Sequence, residues 1–156
     1  MIGNRQIQIK AEAGFLEIGE YLCCFPPGIR PLKILKETYP LIDESYDPIV
    51  NPWKESFENE SLGGYDACIN RIKNTIEVIL NKYKGDIVII SHGSLIAELL
   101  EILTGTGSYV GEATVSKLVE KENGKFEALY IANQAHLSDK KNKMFSKFAF
   151  LAKFGF

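Results

Sequence analysis

Asp86-Ile87-Val88-Ile89-Ile90-Ser91-His92-Gly93-Ser94 is the stretch on which the fold reading turns. Ile87 to Ile90 are all apolar and all β-branched, and polar residues close the run at both ends. A short continuous run of that kind fits a central parallel strand covered on both faces. Before it, from Tyr65 to Lys84, residues Ile69, Ile72, Ile76, Ile79 and Tyr83 recur at helical spacing. They line one side of a helix of about five turns, which Gly85 ends. After it, Leu95 to Leu103 repeats the helical pattern. Helix, strand, loop and helix in that order predict an α/β class, a mostly parallel sheet flanked by helices.

Further from that centre the signals are more local. Ala113 to Lys121 and Phe126 to Asn133 have strand composition and flank Glu122-Asn123-Gly124-Lys125; Asn-Gly between two such runs is a strong hairpin signal. Gln6 to Ala11 alternates Ile7 and Ile9 with polar neighbours, which predicts a half-buried strand leading into Glu12. From Gly14, the residues Phe15, Ile18 and Leu22 sit at helical spacing until Pro26-Pro27-Gly28. All six prolines lie between Pro26 and Gly64, which predicts a long irregular excursion. With no internal repeat and no low-complexity linker, residues 1–156 read as one domain. Its tail, 138–156, carries five lysines and Phe145, Phe148, Phe150, Phe154 and Phe156. Such a tail suits a terminal helix packed on the sheet, or docking on a partner or membrane surface.

The composition is that of an ordinary globular chain, 46% hydrophobic and 24% charged over 156 residues with a net charge of -2. That balance supplies no global attraction for nucleic acid or an anionic membrane. Cys23, Cys24 and Cys68 are odd in number and form no C-x-x-C pair, so neither a disulfide framework nor a metal site is expected. Cys23-Cys24 reads as buried filler. No stretch approaches the roughly 18 apolar residues of a membrane span, and no leader opens the sequence. The expected compartment is the cytoplasm, with reduced cysteines.

Four residues carry the candidate chemistry. His92 follows the predicted buried strand and precedes a helix, the edge at which open α/β sheets bind ligands and at which free N–H groups favour a phosphate. Gly93 admits close backbone approach, and Ser94 can cap the helix or donate to an anion. Read in isolation, the same residues serve equally well as a strand end and helix cap. Glu12 also follows a predicted strand; there it is a general acid if partly desolvated, or a helix-dipole partner or cap. Arg71 falls out of phase with the apolar stripe, which predicts a solvated position. His136, in Gln134-Ala135-His136-Leu137, reads as a surface or satisfied histidine.

With these residues in place the sequence resembles the histidine phosphatase (phosphoglycerate mutase-like) superfamily, and within it the ubiquitin-associated and SH3 domain-containing phosphatases, the suppressors of T-cell receptor signalling. Ala11-Glu12-Ala13-Gly14-Phe15-Leu16-Glu17 looks like that family's V-E-P-G-L-x-E. Pro26-Pro27, Ile42-Asp43-Glu44-Ser45-Tyr46-Asp47-Pro48, Glu60-Ser61, Tyr65, Arg71, Ile87 to Ser94 and Gly105 follow in order. The resemblance implies a phosphoglycerate mutase-like fold without its first strand and helix. It also implies His92 as the non-nucleophilic, phosphate-polarising histidine, Glu12 as the proton donor, and His92, Gly93 and Ser94 as phosphate-binding residues, with no cofactor or metal. Glu12 and His92 would then share one pocket at the carboxyl edge of the sheet.

Two parts of the family pattern have no match here. The nucleophilic histidine of its R-H-G motif is absent, since no Arg-His-Gly occurs in the sequence, and Arg5 lacks the S-P-x-x-R context of the clamping arginine. Loss of a covalent nucleophile and its charge clamp costs several orders of magnitude in rate. The expectation is a truncated histidine-phosphatase-like protein, inactive or weakly active alone, which binds a phosphorylated small molecule or phosphoprotein. Without a neighbour, the Asp86 to Ser91 strand would invite self-association. Two alternatives stand beside it: a phosphomonoester phosphatase completed by a second chain or upstream sequence, and a non-catalytic interaction module.

Overall fold

The computed structural model describes residues 7–17, 30–51 and 58–137, with backbone alone for 58–63. The helical spacing at Ile18 and Leu22, the Cys23-Cys24 pair, the stop at Pro26-Pro27 and the tail 138–156 lie outside the described residues. The chain divides into two compact units, Met1–Val88 and Ile89–Phe156. The first contains a 3-10 turn (Ala13–Phe15), helix α1 (Leu32–Thr38) and helix α2 (Glu58–Lys82); the second contains helix α3 (Gly93–Thr104) and strands β1 (Val115–Glu120) and β2 (Phe126–Asn133).

This architecture overturns the expected mostly parallel, phosphoglycerate mutase-like sheet. Among the described residues the sheet has two strands, and they are antiparallel. Asp86 to Ser91 forms no strand, and Ile87, Val88 and Ile90 are 38%, 85% and 92% exposed. An apolar β-branched run records a preference for burial; a parallel strand also requires a ladder partner remote in sequence, and among the described residues none pairs with it. Of the strand expected over Gln6 to Ala11, the described residues from Ile7 onward form one isolated parallel bridge, Ile9 to Ile42. There Ile9 donates its N–H to Leu41 at 2.8 Å, and Asp43 donates to Ile9 at 2.9 Å. Ile7 and Ile9 stay exposed.

Where the signals are local, the elements form as their residues dictate. Asn123-Gly124 turns the β1–β2 hairpin, with Gly124 in the left-handed region and donating to Lys121. Val119 faces Glu127 and Glu120 faces Phe126 across the ladder. Gly105, also left-handed, closes α3 by donating to Glu101 at 2.8 Å. Leu95, Leu99 and Leu100 are the buried residues of that helix. Helix α1 breaks the predicted irregular excursion: Leu32 to Thr38 consists mostly of good helix formers, Pro31 opens it, and it stops short of Pro40.

Helix α2 supplies the core of the first unit. Its backbone departs from helical geometry at Gly64, so the regular part matches the helix expected from Tyr65. Cys68, Arg71, Ile72, Thr75, Ile76 and Ile79 are all buried, a stripe with the 3- and 4-residue spacing of one helical face. The Ala13–Phe15 turn lies on this stripe so closely that a Cβ at Gly14 would stand 2.0 Å from Thr75 Oγ1 and 2.7 Å from Thr75 Cβ. Thr75 is fully buried and donates to the Arg71 carbonyl at 2.8 Å, so it has little room to retreat. Gly14→Ala should therefore destabilise the protein by about 1–3 kcal/mol, the usual cost of overpacking. In the background of Thr75→Ala the penalty should shrink without vanishing, because the Thr75 Cβ clash remains; urea unfolding of the four proteins of the cycle measures this.

Candidate functional site

Glu12 precedes the 3-10 turn with extended backbone angles and caps it with its own side chain. Oε1 accepts from the N–H of Gly14 at 2.9 Å and of Val50 at 3.0 Å. Oε2 accepts from the Tyr46 hydroxyl at 2.5 Å and from the N–H of Ile49 at 2.8 Å. Four donors thus converge on one carboxylate, which ties the turn to the segment Tyr46 to Val50. Charge-assisted bonds of this sort are short and strong. These donors occupy both oxygens of the carboxylate, two on each.

Tyr46 is buried, and burial, followed by its bond to Glu12 and the nearby negative charge, raises its pKa above the ordinary tyrosine value. Its hydroxyl therefore remains a donor. Beside it, Asp43 binds Lys10 at 2.7 Å and accepts from the N–H and hydroxyl of Ser45 at 3.0 and 2.6 Å. The Lys10 bond and then the Ser45 hydroxyl bond pull the Asp43 carboxyl down to about 2. The ammonium groups of Lys10 and Lys82 each lie within 6.0 Å of the ring centres of Tyr46 and Tyr83.

Arg71 corrects the expectation of a solvated side chain, since it is buried. Its Nη1 donates to the carbonyls of Gly14 at 2.8 Å, Leu16 at 3.1 Å and Ala13 at 3.5 Å, and its Nη2 donates to Glu17 at 3.4 Å. The guanidinium fork matches a turn that directs several carbonyls to one side. Glu12 satisfies the N–H side of the turn and Arg71 its carbonyl side.

His92 stands just before α3 with extended backbone angles and makes no side-chain cap. Its carbonyl accepts the N–H of Ile96 at 2.9 Å, which starts the helical ladder. Gly93 approaches another part of its own unit: a Cβ there would lie 3.0 Å from the carbonyl of Val110. His92 and Gly93 are exposed and Ser94 is half-buried. His136 is an exposed residue whose Nε2 lies 2.8 Å from the Ala113 carbonyl. Ala113 itself has a positive φ of 53°.

Neither a protein-family model nor a curated protein matches the chain. Its site residues are therefore defined by their own geometry. His92, Gly93 and Ser94 lie together at the start of α3 in the second unit, and Glu12 lies with Tyr46 and Arg71 in the first. Sequence reasoning assigns Tyr46 no role in the site and Arg71 a solvated position, although Arg71 falls three residues after Cys68 and four before Thr75, on the buried stripe. Among the described residues, no three His, Cys, Asp or Glu side chains form a group able to hold a metal ion. No described helix is long and apolar enough to cross a membrane.

Proposed function

We propose that this chain is a histidine-phosphatase-like protein with little or no turnover of its own, which retains a weak site for phosphorylated ligands at His92, Gly93 and Ser94. The observation that supports low turnover is the engagement of both Glu12 oxygens by four donors. The proton donor implied by the resemblance serves as a structural anchor. The absence of Arg-His-Gly from the sequence points the same way. Support for residual binding is more local: an imidazole immediately before a helix of 12 residues, where N–H groups and the helix dipole attract an anion.

Without clamping arginines, inorganic phosphate should bind with a dissociation constant in the millimolar range, about 4 kcal/mol. His92→Ala should abolish the saturable shifts of the Gly93, Ser94 and Leu95 amides in an NMR titration, and His136→Ala should leave them intact. Unchanged binding in His92→Ala, or loss in His136→Ala, would place the anion elsewhere. The alternative of a non-catalytic interaction module draws on the exposed Ile87, Val88 and Ile90. That reading needs no phosphate site, and the titration separates the two.

A further inference from the structure

We draw no further inference here: the strongest candidate, the exposed apolar run from Ile87 to Ile90 at the junction of the two compact units, carries nothing because nothing in the structure shows what covers it.

Discussion

Arg71→Leu is expected to destabilise the first unit by about 3 kcal/mol or more. Leucine fills much of the volume but donates nothing, so the carbonyls of Gly14, Leu16 and Glu17 lose the guanidinium that reaches them. An unsatisfied buried polar group costs about 1–3 kcal/mol; of the four carbonyls on the guanidinium, Ala13 keeps the Leu16 N–H as a donor, and the other three lose the Arg71 bond. Arg71→Lys should recover little, because a single ammonium cannot reproduce the planar fork. A solvated arginine on the outer helix face would behave differently, with both substitutions within about 0.5 kcal/mol of the parent. Urea unfolding followed by circular dichroism distinguishes these outcomes.

Glu12→Gln should cost about 2 kcal/mol despite being nearly isosteric. The amide oxygen can replace only one carboxylate oxygen. If it takes the Oε1 position, the Gly14 and Val50 N–H groups keep their acceptor, and the Tyr46 hydroxyl can rotate to accept from the amide. The Ile49 N–H then faces an N–H and is left without an acceptor. The opposite orientation strands both Gly14 and Val50. Either way at least one donor is orphaned and the charge assistance of the remaining bonds is lost. Tyr46→Phe should be milder, about 1 kcal/mol, since three donors remain on the carboxylate. A Glu12→Gln protein as stable as the parent would show that the carboxylate is free for other work.

These expectations differ in how far the sequence exposes them. The β1–β2 hairpin was legible because Asn123-Gly124 dictates its own turn, and α3 because its leucines and Gly105 specify one helix without outside help. The Asp86 to Ser91 run failed for the opposite reason. Periodicity measures the demand for burial, whereas the ladder depends on residues distant in the chain. Only Ile9 and Ile42 make a parallel bridge among the described residues. Helix α1 was hidden by the prolines around it, although Pro31 and Pro40 bracket the helix and lie outside it.

For the candidate site the division is similar. Glu12 was singled out as an acid or a cap, and its geometry is that of a cap with three further donors. What the sequence did not disclose is that Tyr46, Ile49 and Val50, more than thirty residues away, supply those donors. Arg71 lies out of phase with the isoleucines Ile69, Ile72, Ile76 and Ile79, which points to solvent. Its register with Cys68 and Thr75 put it on the buried face, where only a set of convergent carbonyls makes an arginine tolerable.

Turnover of a generic aryl phosphate by the purified 156-residue chain, measured beside its His92→Ala variant, decides whether the protein is a phosphatase on its own. Both proteins should run at the buffer background, since no Arg-His-Gly supplies a nucleophile and four donors hold the Glu12 carboxylate at the turn. A rate of roughly 1 per second or more, typical of an enzyme, that disappears in His92→Ala would contradict it.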